Sequence, residues 1–304
     1  MFNNSNKILW IIFVILLIAV ILVFTTESTK NEKSFKTKIV KIDTSKISSF
    51  SIFPKSQKGT EIKFLKSDGV WKVSKNGNES FTVPQNKIND LFLQLLKIKP
   101  KRLAARSKSK WKDYQVDDSS STRVVINENG SEVLDLIIGK FAFQQPRSMS
   151  TFVRLNNEND VYEVDGFLEM FFNKDLNSFR NEIVINSNLN SWNKLSYSLN
   201  EKDNFELIKV DNKWLINGVK TDSAKTQKLL SGLSNLRSTD FIDAENFTTP
   251  LDELKITTEN NGEIKISVYQ NNGIKIIHSS QNPESCFVTD KLYEKIFFAK
   301  DSLF

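Results

Sequence analysis

The fold is read most directly from Asp68-Gly69-Val70-Trp71-Lys72-Val73, in which a turn signal precedes a short alternating run. An Asp-Gly pair favours the tight turn of a β-hairpin, and alternation with a period of two is typical of a half-buried strand. A similar strand, Lys213-Trp214-Leu215-Ile216, recurs in the second half of the chain. Further short β-branched runs separated by turn signals surround the first strand. The sequence therefore predicts antiparallel β meanders.

A helix interrupts the strands of the first half. Pro84 stands at a first-turn position, and apolar residues recur with helical spacing until Pro100. Apolar residues with the same helical spacing recur from Asp222 to Leu236, after the strand that contains Trp214. Other elements also return in the same order, for example Ser49-Phe50-Ser51-Ile52 as Ser196-Tyr197-Ser198-Leu199.

Five such matches in one order predict an internal repeat. The predicted fold class is α+β, with two tandem related α+β units at residues 39–180 and 181–304. Each unit is expected to be an antiparallel β meander with one packed helix.

The N-terminus carries an apolar run from Ile8 to Phe24, which is 17 residues long and free of charge. At about 1.5 Å per residue such a helix spans most of a roughly 30 Å hydrocarbon core. The run predicts a single transmembrane anchor within residues 1–26 and a Lys-rich stalk at 27–38. Lysines cluster after the run and only Lys7 precedes it, which favours a cytoplasmic domain, whereas an anchor at the extreme N-terminus favours an exported one.

The numbers of cysteine and histidine residues exclude several kinds of metal and catalytic site. The chain of 304 residues has one cysteine, Cys286, and one histidine, His278. An intrachain disulfide, a Cys/His zinc cluster and a His-pair site are excluded, because each needs at least two such residues. A protease-like Cys/His pair is formally possible, but the apolar run Cys286-Phe287-Val288 favours a small buried hydrophobic residue. No catalytic residue, metal or cofactor is predicted.

The stretch from Lys97 to Lys112 carries eight Lys or Arg residues and no acidic one, while the whole chain has a formal net charge of +6. One interpretation is a binding surface for an anionic partner, either lipid headgroups or an acidic protein face. The other is a solvated helix end that runs into a Lys-protected edge strand. Nucleic acid is not predicted, because the stretch has a single aromatic residue and no recognised motif. The candidate binding residues are Lys99, Lys101, Arg102, Arg106, Lys108, Lys110 and Lys112.

The segment from Gly139 to Ser150 concentrates large side chains between two strands, and its candidate partner-binding residues are Phe141, Phe143 and Arg147. Aromatic residues near an arginine are common at the centres of protein interfaces. The i, i+2 spacing of the two phenylalanines also fits a hairpin that covers a core. Both interpretations stay open at this point.

Several short motifs together resemble one family of bacterial proteins. They are Gly69-Val70-Trp71-Lys72-Val73, Leu136-Ile137-Ile138-Gly139-Lys140, Thr151-Phe152-Val153-Arg154-Leu155, Val161-Tyr162-Glu163-Val164-Asp165-Gly166 and Ser178-Phe179-Arg180-Asn181. With the N-terminal anchor and the helix after Pro84, they resemble the domain-of-unknown-function 4340 family over roughly Ile39 to Arg180. The motifs are structural, so the resemblance assigns no active-site residue.

Members of this family are often encoded beside auxiliary subunits of ABC-type export or gliding-motility transporters. The resemblance therefore implies an inner-membrane protein with a periplasmic domain and an accessory role. We expect a non-enzymatic, single-pass protein that binds envelope or ABC-type transporter components. The alternative is a periplasmic ligand-binding module with a cleft between the two repeats.

Overall fold

The computed structural model describes residues 10, 12–21, 35–75, 77, 79–144, 148–200, 204–243, 249–259, 262–288 and 290–304. Within these ranges the chain forms two nine-stranded sheets and one two-stranded sheet, and the strands pair antiparallel. The short apolar runs and their turn signals account for this preference, since two-residue turns connect antiparallel neighbours directly.

The first sheet is built from the first nine strands of the chain. These are β1 Ile47–Phe53, β2 Ile62–Ser67, β3 Val70–Lys75, β4 Ser80–Val83, β5 Pro100–Ala105, β6 Thr122–Glu128, β7 Ser131–Gln144, β8 Ser148–Leu155 and β9 Val161–Asp165. Their order across the sheet is β4-β3-β2-β1-β6-β7-β8-β9-β5. Strand β5, which carries part of the basic stretch, is therefore an edge strand.

The remaining strands form the other two sheets. They are β10 Ile183–Asn186, β11 Trp192–Ser198, β12 Phe205–Val210, β13 Lys213–Ile216, β14 Val219–Lys220, β15 Asn235–Arg237, β16 Phe241–Ile242, β17 Asp252–Thr258, β18 Glu263–Asn271, β19 Ile274–Ser279 and β20 Cys286–Phe287. Strands β10 and β15 pair with each other. The second large sheet has the order β14-β13-β12-β11-β17-β18-β19-β20-β16, which repeats the connectivity of the first.

The described helices are few and short. Residues 12–21 form α1, and the others are α2 Gln85–Leu96, α3 Trp111–Tyr114, α4 Glu169–Phe172, α5 Ser223–Ser234 and α6 Asp290–Ile296. Helix α2 starts directly after Pro84, as its sequence predicts. Helix α5 starts after Asp222, whose carboxylate accepts a hydrogen bond from the backbone N–H of Lys225 at 2.8 Å and so caps the helix.

The two large sheets repeat their details as well as their order. The first strand of each pairs with an irregularity after its first residue, between Ile47 and Ser49 in β1 and between Trp192 and Lys194 in β11. Two-residue turns close the β2–β3 and β12–β13 hairpins. Two copies of one unit would give this pattern, and the repeat boundaries at 39–180 and 181–304 stay a prediction.

Packing divides the chain into two compact units. One comprises residues 1–60 and 90–174, and the other comprises residues 61–89 and 175–304. The first unit includes a small cluster around Trp111 and Phe152. The second has a large core in which Trp192, Leu207 and Phe287 are fully buried.

The prediction of a transmembrane anchor is corrected by the structure. None of the helices in the described ranges has both the length and the apolar composition needed to cross a membrane. The described side chains of helix α1 are exposed. Residues 8, 9, 11 and 22–24 of the apolar run and the stalk up to residue 34 lie outside the described residues.

Two predictions change with this finding. The fold class is corrected from an α+β protein with a transmembrane helix to a mainly antiparallel β structure with two large sheets. Beside these sheets, α2 and α5 have 12 residues each and the other helices that follow residue 35 in the described ranges are shorter. The single-pass, inner-membrane localisation with a periplasmic domain is not supported and is withdrawn.

Gly139→Ala is expected to destabilise the protein by about 1–3 kcal/mol, the usual effect of overpacking. A Cβ at this position would lie 2.3 Å from the carbonyl oxygen of Tyr114 and 2.6 Å from Cγ1 of Val116. Gly232→Ala is the matched control, because a Cβ there meets nothing within 4 Å and α5 should gain about 0.5–1 kcal/mol. Urea unfolding midpoints measure both effects. An unchanged midpoint for Gly139→Ala would contradict the close approach.

Candidate functional site

The β7–β8 hairpin projects beyond its neighbours in the first sheet. The pairing of β6 with β7 ends at Thr122 and Ile138, and the pairing of β9 with β8 ends at Asp165 and Ser150. Strands β7 and β8 continue beyond these rows as a two-stranded ribbon, after a register shift between Ile138 and Phe141. A bulge of this kind bends a strand and redirects its side chains.

Three apolar side chains share one face of this ribbon. Phe141 and Phe143 are two residues apart on β7, and Met149 lies opposite Phe143 on β8. Their exposed fractions are 47%, 56% and 47%. Phe141 also contacts the ring of Phe167, with 4.6 Å between the ring centroids. Of the two interpretations of this segment, the exposure favours the interface over the covered core.

The third candidate of this segment, Arg147, lies outside the described residues. No partner is present in the structure, so the assignment of Phe141 and Phe143 to a partner surface stays a prediction.

The candidate residues of the basic stretch begin at Lys99 just before β5, continue along β5 and a short 3-10 helix at Lys108–Lys110, and end on α3. All seven candidate residues are exposed, and three of them pair with acidic residues. Lys101 contacts Asp165 at 2.7 Å, Arg102 contacts Glu163 at 2.6 Å, and Lys110 contacts Asp113 at 3.0 Å. Hydrogen bonding to these carboxylates raises the pKa of Lys101 and of Lys110.

The other basic candidates have different surroundings. Lys108 lies over the ring of Trp111, with 5.0 Å between its ammonium nitrogen and the ring centroid. Lys99 and Lys112 form no ion pair within the part of the chain that the structure describes. The structure thus places the first part of the stretch on the edge strand β5 and the part around Trp111 over Arg154 of the inner strand β8. Whether the stretch binds an anionic partner stays a prediction.

The start of the basic stretch borders the base of the aromatic hairpin. Ser150 of β8 lies opposite Asp165 of β9, and Asp165 pairs with Lys101. Beside them the carboxylate of Glu163, which is 2% exposed, accepts a hydrogen bond from Ser150 Oγ at 2.7 Å. Consecutive strand residues point to opposite faces of a sheet, so Ser150 and its ionic neighbours lie on the face opposite Met149 and Phe143. The first lysines therefore border the base of the hairpin from the other face of the sheet.

The second unit contains a buried arginine that the sequence analysis did not select. Arg180 is 1% exposed, and its guanidinium carbon lies 3.4 Å from the ring centroid of Phe81 and 4.3 Å from that of Phe241. Its terminal nitrogens donate to Asp243 at 2.9 Å and to Ser285 at 3.2 Å. Burial lowers the pKa of Arg180, and the pairing with Asp243 opposes this effect.

A second buried arginine, Arg154, occupies the first unit. Its guanidinium carbon lies 3.7 Å from the ring centroid of Trp111, and its Nε donates to the carbonyl oxygen of Val116 at 2.7 Å. Both arginines belong to short motifs that carry the family resemblance. For Arg154 the available signal was its place among the apolar residues of β8, because an unpaired charge is rarely buried. Arg180 lies outside the strands, beside Ser178 and Asn181, and its sequence context contains no such signal.

The only cysteine and the only histidine lie directly opposite each other on neighbouring strands, Cys286 on β20 and His278 on β19. Residues paired in this way point to the same face of a sheet. Burial raises the pKa of the Cys286 thiol to about 11, and Arg180 opposes the shift. A catalytic thiol requires the opposite shift, so the environment favours a buried, protonated cysteine.

Among the described residues, no group of three or more His, Cys, Asp and Glu side chains could hold a metal ion. With the geometry established, comparison with known proteins adds one finding. A family model described as a domain of unknown function, DUF4340, matches residues 71–254. The chain belongs to the DUF4340 family. Neither the curated proteins nor the solved structures that were searched gave a match.

The DUF4340 match covers both Trp strands, the aromatic hairpin and both buried arginines, and it starts at Trp71 itself. It confirms the resemblance inferred from the sequence motifs. Because the family is described without a function, it assigns no activity and no partner to these residues.

Arg180→Lys is expected to lower the free energy of unfolding by about 2 kcal/mol. Lysine keeps the charge but loses the planar group that lies between Phe81 and Phe241, and desolvated stacking of this kind contributes about 2 kcal/mol. The exposed Arg237→Lys is the control, with an expected change within about 0.5 kcal/mol. Chemical denaturation measures both, and equal effects would show that the stacking contributes nothing.

Cys286 is expected to react slowly with a thiol reagent in the folded protein at pH 8. With a pKa of about 11, on the order of one thiol in a thousand is ionised, against roughly a quarter in the unfolded chain. The thiol's contribution to stability should be complete below about pH 8.5 and lost as the pH rises towards 11. Labelling rates with and without urea test this, and rapid labelling of the folded protein would restore Cys286 as a candidate nucleophile.

Proposed function

We propose that this DUF4340 protein is a non-enzymatic accessory protein that binds a partner protein through the aromatic face of the β7–β8 hairpin. The observation that carries the proposal is the exposure of Phe141, Phe143 and Met149 on one face of a projecting ribbon. Large apolar side chains held together in this way are typical of interface centres.

The aromatic face decides what a partner must present. Phe141, Phe143 and Met149 share one face of the ribbon, whereas Lys101 pairs with Asp165 on the opposite face of the sheet. A complementary partner would present an apolar pocket for the two phenylalanines. Lysines on the far face can mainly affect the association rate and its sensitivity to salt.

The class of partner comes from the family resemblance. It implies an ABC-type transporter or gliding-motility component, and we propose such a component as the partner. The raised pKa of Cys286 supports the non-enzymatic part of the proposal, because the environment of this thiol opposes nucleophilic chemistry.

A photo-crosslinking residue at Phe143 is expected to capture one partner protein in the cells that make this chain. The same residue at Val133 is the matched control, because Val133 lies near the other end of β7 and is 40% exposed. Mass spectrometry identifies the captured protein. Equal crosslinking from both positions, or none from Phe143, would contradict the proposed surface.

Phe143→Ser should weaken binding to the captured partner by at least about tenfold, a loss of 1.4 kcal/mol, whereas Val133→Ser should leave it unchanged. Both residues are exposed, so thermal melting should report folded variants. Capture of a protein unrelated to transport or motility would keep the surface and overturn the partner class.

A further inference from the structure

A cavity of about 230 Å³ lies within the second unit, beside the turn of the β12–β13 hairpin. Trp214, Lys209 and Lys213 contribute to its wall, together with amide side chains. No acidic residue is found among the described residues that line it. The cavity therefore combines an aromatic surface with two positive charges.

Trp214 differs from its counterpart in the first sheet. In the β12–β13 hairpin Lys209 lies opposite Trp214, and in the β2–β3 hairpin Lys66 lies opposite Trp71. Trp71 is only 2% exposed, whereas Trp214 is half-buried and lines the cavity. Packing in the core accounts for the position of Trp71. Part of the Trp214 indole, in contrast, stays available to a ligand in the cavity.

The two lysines have no acidic partner in the described part of the chain. The ammonium group of Lys209 donates to the carbonyl oxygen of Asn190 at 3.1 Å, and this contact holds it at the cavity wall. Lys213 is exposed at the rim. Two lysines in a lining that contains no carboxylate attract an anionic group.

The remaining wall is polar but uncharged. Asn190, Asn212 and Gln227 bring amide groups, and Ser223 brings a hydroxyl group at the start of α5. Amides both donate and accept hydrogen bonds, so they suit a ligand that carries several hydroxyl groups. A purely apolar ligand would leave these groups unpaired, and a cation would be repelled by the lysines.

We propose that this cavity binds an acidic sugar, with room for one sugar ring. The apolar C–H face of the ring packs on the Trp214 indole, the hydroxyl groups bond to the amides, and the carboxylate pairs with Lys209 and Lys213. This inference is independent of the proposed partner surface, which lies in the first unit.

Titration of the full chain with glucuronate, followed by isothermal calorimetry and tryptophan fluorescence, tests the proposal. Saturable binding with a change in fluorescence is expected, and glucose, which lacks the carboxylate, should bind at least about tenfold more weakly. Equal binding of glucose would overturn the role of the lysines. No binding of glucuronate at concentrations up to tens of millimolar would overturn the site.

Variants locate the binding. Trp214→Ala and Lys213→Ala should each weaken glucuronate binding by at least about tenfold. Lys220→Ala is the matched control, because Lys220 is exposed on the neighbouring strand β14 and does not line the cavity. Lys213 is also exposed, so its loss should leave the fold intact even if Trp214→Ala fails to fold. Unchanged binding by Lys213→Ala, or an equal loss from Lys220→Ala, would overturn the assignment.

Discussion

A guanidinium group removed from water must find its partners inside the protein, because an unpaired buried charge costs several kcal/mol. The guanidinium group of Arg180 lies on the rings of Phe81 of β4 and Phe241 of β16, and its two terminal nitrogens donate to Asp243 and Ser285. Its Nε is buried without a hydrogen-bond partner among the described residues. These rings and acceptors come from three separate places in the chain, around residues 81, 241–243 and 285, all in the second unit. Their relative positions depend on this one side chain, and the backbone N–H of Asn181 adds a bond to the carbonyl oxygen of Thr82 at 3.0 Å. The sequence 61–89 is thereby held against residues 175–304.

The two large sheets share one topology but differ in which of their side chains are buried. Their hairpins share a register, yet Trp71 is buried and Trp214 borders a cavity. The same strand arrangement thus accommodates a buried tryptophan in the first sheet and a partly exposed tryptophan in the second. Both proposed sites follow this logic, because each rests on side chains that the core does not need. The motifs that carry the family resemblance, by contrast, include buried groups such as Arg154 and Arg180.

Turns and helix caps could be predicted from the sequence because they are local. Asp68-Gly69 marks the β2–β3 turn, and Asp222 caps α5. The sequence match of Ser49-Phe50-Ser51-Ile52 to Ser196-Tyr197-Ser198-Leu199 was wrong by two residues. When β1 and β11 are aligned on their pairing irregularities, Ser51 of β1 corresponds to Ser196 of β11. A shift of two preserves strand alternation, so no pattern within a strand can detect it. The contacts of Arg180 and the exposure of Phe143 depend on distant segments, and no local pattern contains them.

One difference between the two large sheets explains part of the basic stretch. Counting along the registers places Arg154 of β8 where the second sheet has His278 of β19. Arg154 is buried because the segment 106–118 covers it with Trp111 and Val116. The inward side chains of this segment thus have a packing role, whereas Lys108, Lys110 and Lys112 on its other side are exposed. Packing requires the segment but not its charge, so the excess of lysine must be explained by solvent or by a partner, and the salt dependence of partner binding separates these two causes.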